Sequence, residues 1–234
     1  MRLYDYAASG NCYRVRLLLA LLGQGYDRVS VDIFAGETLT DDYAALNPAR
    51  EVPVLELDDG TVLTESNAIM WFLASGTPYL PDDPLGQAQV VRWLLFEQER
   101  VMSGIGGARF RILTNRRPDL VSRRLALATG ALETLDAHLA ERDYLVGKAC
   151  SIADLSTFAY THVADDAGLG LERYQHVTTW LARIESLPGF INDLAPYPDN
   201  ARAGRGRSIY DGWRERHTFP RARLTTRLLR AAGR

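Results

Sequence analysis

The run Ser9-Gly10-Asn11-Cys12 puts a hydroxyl, an amide and a thiol within four residues, where a loop should turn into a helix. Ser9-x-x-Cys12 has the spacing of a C-x-x-C redox pair whose first sulfur is replaced by oxygen. Two chemistries stay open here. Cys12 falls in the first helical turn, where a thiolate is favoured, and is then either a reactive thiol or a small residue packed beneath the loop. Ser9, just before the helix, can donate its O–H to an anionic acceptor such as a thiolate, and Asn11 can donate an amide N–H to the same atom. A hydrogen bond to a charged acceptor is worth roughly 1.5–3 kcal/mol, and the helix end adds about 0.3–1 kcal/mol. At about 1.36 kcal/mol per unit, the two lower a thiol pKa of about 8.5 by roughly one to three units.

A second pair, Glu65-Ser66, opens a predicted helix. Ser66 at a helix N-terminus, with its free N–H groups, suits a carboxylate. Glu65 beside it suits an ammonium, so the pair fits a group carrying both charges on one carbon. Other chemistries find no footing. There is no CxxC or HExxH pair and only four scattered histidines, so no metal is expected. Gly104, Gly106 and Gly107 form GxGG without the third glycine or the preceding strand of a phosphate loop.

The elements that must position these residues follow from the pattern. Arg2 to Tyr6 reads as a strand, and Cys12 to Leu22 as a helix with Val15, Leu18, Leu19 and Leu22 at helical spacing, closed by Gly23. Asp27 to Ile33 alternates as a second strand. A short helix starts at Thr40, a good N-cap. Two alternating strands flank Asp59-Gly60, a strong hairpin signal, and the helix from Glu65 to Ala74 follows with Ser66 as its N-cap. The first two strands should pair in parallel and the hairpin antiparallel, giving a small mixed sheet. Residues 77–86 hold three prolines and read as a linker. From Gln87 the chain is helical: a long amphipathic stretch, a helix begun near Pro118, one begun by Ser151-x-x-Asp154 as a capping box, and one over "YQHVTTWLARIESL". The predicted fold is α/β plus all-α, with a βαβαββα domain over 1–76, a linker over 77–86, a helical bundle over 87–200 and a basic extension over 201–234.

Bulk composition agrees with a globular protein: 234 residues, 47% hydrophobic and 24% charged. No apolar run approaches the roughly 18 residues of a membrane span, and "MRLYDYAASGN" has no signal-peptide pattern. With two cysteines, a reducing cytoplasm is expected. The net charge of −2 conceals ten arginines against two acids after residue 200. That tail reads as a solvated extension, and nucleic acid is not an expected partner.

"SGNCYRVRLLL", "NPAREVPVLEL", "TESNAIMWFL", the "SIAD" helix start and "W…RIESLPGF", in this order over residues 1 to 195, resemble the cytosolic glutathione transferase family. The resemblance implies a thioredoxin-like first domain, glutathione as co-substrate, a small electrophilic substrate, a detoxifying role, a homodimer and no membrane. It implies catalytic roles for Ser9, Asn11 and Cys12, as in the serine- and cysteine-loop members. It implies a cis Val52-Pro53 bond, with the Val52 backbone pairing with the ligand as an added strand would. Glu65 and Ser66 then take the γ-glutamyl group. Many members have histidine where Thr38 falls and lysine where Glu51 falls, so Thr38 and Arg50 are left to hold the glycyl carboxylate. By analogy Met102, Ile105 and Phe110 supply apolar surface for the electrophile and Arg109 a positive charge. Three other readings belong to the same resemblance: thiol-disulfide exchange through Cys12, isomerisation of a maleyl-type substrate, and a noncatalytic binding module.

Overall fold

The computed structural model of the protein describes residues 1–211. Four short strands form one mixed sheet in the order β2-β1-β3-β4. Strand β1 (Arg2–Asp5) is followed by helix α1 (Gly10–Leu21), and β2 (Asp27–Ser30) pairs with β1 in parallel. Helix α2 (Asp41–Leu46) starts on the Thr40 cap, whose hydroxyl oxygen accepts the Tyr43 N–H. The hairpin strands β3 (Val54–Glu56) and β4 (Val62–Thr64) are antiparallel, and helix α3 (Ser66–Ala74) completes the first domain. At the hairpin tip the Leu57 N–H reaches the Thr61 carbonyl at 2.8 Å, and Gly60 takes φ +84, where a side chain would be strained. The first two strands stop short of their expected ends at Tyr6 and Ile33. The chain leaves β1 by a turn from Tyr6 to Ser9, so β2 has no neighbour to follow as far as Ile33.

Helix α1 is buried nearly all round because it lies between the sheet and the second domain, packing on α3 and on helix α7 (Ile152–Thr161). Even Arg14 and Arg16 are fully buried within it. Their charges are met there. Arg16 pairs with Asp5 and Asp193, and Arg14 with Glu97 at 2.6 Å. Asn67 and Ser156 close the second pair, so one buried network ties α1, α3 and α7 together.

Helix α4 (Pro84–Phe96) begins three residues before the expected helical start at Gln87. Asp83 caps it and Pro84 sits in the first turn, where its missing N–H costs nothing. It runs on through a π-helical stretch, Glu97–Gly106, into α5 (Gly107–Thr114). The glycines of this stretch serve close packing. A Cβ on Gly104 would stand 2.7 Å from the Ala128 backbone nitrogen of α6 (Val121–Leu139). Ser151 and Asp154 form the expected capping box, with Asp154 also accepting the Trp180 indole N–H of α8 (Gln175–Glu185) at 3.0 Å. Among the described residues no helix is long and apolar enough to cross a membrane.

The chain after α8 is not a solvated extension up to residue 211. It recrosses the first domain: the Ala195 N–H donates to the Ala7 carbonyl, the Arg207 N–H to Phe34, and the Ala203 N–H to Thr114 of α5. Arg116, buried, donates to the Ala201 carbonyl at 2.8 Å and pairs with Asp211. The rest of the predicted basic extension lies outside the described residues.

Candidate active site

Between the two domains lies a cleft enclosing about 1200 Å³, part of it open to solvent. Ser9, Asn11, Thr38, Arg50, Val52, Pro53, Glu65, Ser66, Met102 and Phe110 line it, all residues singled out from the sequence. Ser9 is the N-cap of α1, and its Oγ accepts the Cys12 N–H at 3.3 Å. A hydroxyl has two lone pairs and one proton, so this bond leaves the proton for the cleft. Asn11 is oriented from the other domain. The Tyr160 hydroxyl donates to its Oδ1 at 3.1 Å, which leaves the amide N–H groups available to the cleft. Tyr160 fits there because two glycines face it: a Cβ would stand 2.5 Å from its ring at Gly10 and 2.7 Å at Gly106. The Arg14 guanidinium lies 5.4 Å from the centre of the same ring.

Cys12 faces away from this group and is fully buried. Its Sγ accepts the Tyr6 N–H at 3.4 Å, and burial, aided by the charge of Asp5, pushes its pKa up to about 12. The thiol is therefore neutral and packed beneath the loop. The cap that points Ser9 outward turns Cys12, three residues on, into the core.

On the far side of the loop, Val52-Pro53 is cis, and neither the N–H nor the C=O of Val52 has a partner among the described residues. Glu65 holds φ +66, a conformation rare for a residue with a side chain, just ahead of α3. Ser66 is the first residue inside α3 rather than its cap, so its own N–H is among the unpaired donors of that helix end. Thr38 is buried, and its hydroxyl has no partner among the described residues. Arg50 uses Nη1 to hold the carbonyls of Thr38 and Thr40, at 3.0 and 2.7 Å.

The opposite wall differs from the sequence reading. Gln98, Met102, Gly106 and Phe110 line it at intervals of four, together with Gly107 and Arg111. Ile105 is fully buried in the main core, and Arg109 is buried against Asp166 at 2.7 Å, under the Tyr197 ring. The wider i→i+5 winding shifts the helix phase, which plain α-helical spacing does not anticipate. Sequence reasoning also missed Ile33, Tyr160, Tyr197, Ile209 and Tyr210. Only Tyr160 carried a signal, as a large ring on the strongly patterned "SIAD" helix.

A thioredoxin-like domain and a helical domain sharing one cleft define a two-domain class of fold. Two family models match the chain: Glutathione S-transferase, N-terminal domain, over residues 8–75, and Glutathione S-transferase, C-terminal domain, over residues 105–188. The crystal structure of a glutathione S-transferase from Pseudomonas fluorescens Pf-5 is 41% identical, covers 83% of this chain and 98% of its own, and superposes with a TM-score of 0.80. That of a glutathione S-transferase from Xanthobacter autotrophicus Py2 is 39% identical over 83% of this chain and 97% of its own, with a TM-score of 0.78. Glutathione S-transferase GstA of Escherichia coli O157:H7 is 30% identical over 175 residues, 71% of this chain and 84% of that one. The chain belongs to the glutathione S-transferase family.

Proposed function

We propose that the protein is a glutathione transferase that ionises the bound glutathione thiol and adds it to a small electrophile. The observation that carries this reading is the Ser9 cap, whose hydroxyl has one lone pair taken by α1 and its proton left for the cleft. In the proposed complex the tripeptide lies along the first domain. Its cysteinyl backbone pairs with Val52, its γ-glutamyl ammonium and carboxylate meet Glu65 and Ser66, and its glycyl carboxylate meets Thr38 and Arg50. Ser9 donates to the sulfur and Asn11 adds an amide hydrogen bond, which favour the thiolate. The thiol proton leaves to solvent. The thiolate forms the new carbon–sulfur bond, and the electrophile's leaving group departs with the electron pair of the broken bond. Held between Tyr160, Phe110 and the Ser9 loop, the reactants meet without a bimolecular search.

Thiol-disulfide exchange through Cys12 is the weaker reading, because a buried neutral thiol neither attacks nor is reached. The reading includes a homodimer, which the exposed apolar side chains of Phe72, Leu85 and Leu95 on α3 and α4 support. The test is a pair of assays on the wild type and Cys12→Ala. Conjugation of glutathione to a chlorodinitrobenzene should proceed in both, within about twofold. Disulfide reduction abolished by Cys12→Ala, with no conjugation in the wild type, would reverse the assignment.

A further inference from the structure

The electrophile side of the cleft is aromatic on one flank and cationic on the other. Phe110 meets Tyr210 at 5.0 Å and Tyr197 at 5.8 Å between ring centres. The next residue, Arg111, lines the same cleft, and its environment differs from that of the other inward-turned arginines. Arg14, Arg16, Arg109 and Arg116 each pair with a carboxylate. Arg111 has no carboxylate within 4.0 Å among the described residues. Its Nη1 holds the Gly107 carbonyl at 2.9 Å, and its Nε is buried without a partner. Burial, then the charges of Arg124 and Arg117, press its pKa below the usual guanidinium value. Asp119, whose charge acts the other way, is already held by Arg117 at 2.9 Å. Arg124 donates to the Ser103 carbonyl and brings a second positive charge to this flank. A half-buried, uncompensated cation beside aromatic faces is costly to hold empty, and a guanidinium fork matches a carboxylate in two parallel hydrogen bonds.

We propose that Arg111 binds an oxyanion carried by the electrophile, so that the preferred substrates are planar aromatic electrophiles bearing an ionised carboxylate. The ring packs on Phe110 and Tyr210, and the carboxylate turns to Arg111. The proposal rests on the glutathione reading above.

Equilibrium binding of two product conjugates tests it without relying on turnover. The probes are the glutathione conjugate of a chlorodinitrobenzoate and that of the matching chlorodinitrobenzamide, which differ only in charge at one end. Wild type should bind the acid conjugate at least about tenfold more tightly than the amide. Arg111→Gln should abolish that preference, chiefly by weakening the acid conjugate, and Arg111→Lys should restore part of it. Equal binding of the two conjugates by a wild type that binds glutathione overturns the proposal alone. A preference that survives Arg111→Gln overturns the assignment to Arg111. Failure of the wild type to bind glutathione or either conjugate overturns the glutathione reading and this proposal together.

Discussion

The two walls of the cleft are built from different parts of the polypeptide. The wall proposed to hold glutathione comes from residues 9 to 66 and works largely through backbone: a capped helix start at Ser9, a cis bond before Pro53 with Val52 unpaired, and a strained Glu65 ahead of α3. The wall proposed to meet the electrophile works through side chains brought from residues 98–111, from Tyr160, and from Tyr197, Ile209 and Tyr210. Backbone devices are set by a few adjacent residues and tie one wall to one ligand shape. Side chains hung on a helix of shifted phase and on a returning segment can change without disturbing that binding. On this account thiol activation belongs to the first wall and substrate choice to the second, and each can be broken separately.

The largest effect belongs to the first wall. Ser9→Ala should lower both kcat and kcat/KM for conjugation by roughly 10- to 100-fold, the value of a hydrogen bond to a charged sulfur. Equal losses in Cys12→Ala would erase the distinction between the two residues. The next effect falls on the seam joining the walls. His162 of the second domain stacks on Phe158 at 4.7 Å and meets the Tyr13 ring of α1 at 5.1 Å. Burial holds its pKa down at about 4, so it is neutral in the folded protein at pH 5, where the unfolded chain protonates it. The unfolded state therefore binds more protons between about pH 6.5 and 4, and stability falls as pH drops through that window. From pH 7 to pH 5 this costs on the order of 2 kcal/mol. Urea unfolding should show that loss in the wild type and not in His162→Phe.

Smaller effects separate orientation from contact. Tyr160→Phe frees the Asn11 amide to turn and should reduce kcat about three- to tenfold, with the bound thiol's pKa raised in the same variant. A KM change alone, with that pKa unmoved, would make Tyr160 a packing residue only. Arg116→Ala releases the Ala201 carbonyl and Asp211, which anchor the returning segment. It should raise KM for the electrophile roughly three- to tenfold and leave KM for glutathione unchanged, as steady-state kinetics with each substrate varied will show.

How far the sequence announces this arrangement follows the same division. The sheet, the caps at Thr40 and Ser151, the hairpin at Gly60 and the motifs around Ser9, Val52 and Glu65 are all local, and each has a short-range physical cause. The start of α4 at Pro84 was also available, since Asp83 caps it and proline suits a first turn, but three prolines in ten residues read more strongly as a linker. Ile105 and Arg109 were misplaced because nothing local signals the π-helical winding that turns Met102 and Phe110 outward and these two inward. Tyr197, Ile209 and Tyr210 reach the cleft only because residues 189–211 cross back to Ala7 and Phe34, contacts between positions far apart in the chain. Asn11 was legible as a donor, but its orientation by Tyr160 depends on two glycines, Gly10 and Gly106, that meet only in the folded protein.

The central claim is that Ser9, not Cys12, sets the ionisation of a thiol brought by the ligand. It is tested most directly by titrating the thiolate absorbance of bound glutathione in the wild type, Ser9→Ala and Cys12→Ala. The account predicts a thiol pKa roughly one to three units below its free value in the wild type and in Cys12→Ala, returning most of the way in Ser9→Ala. An unshifted pKa in the wild type, or a shift that disappears with Cys12 and survives without Ser9, would contradict it.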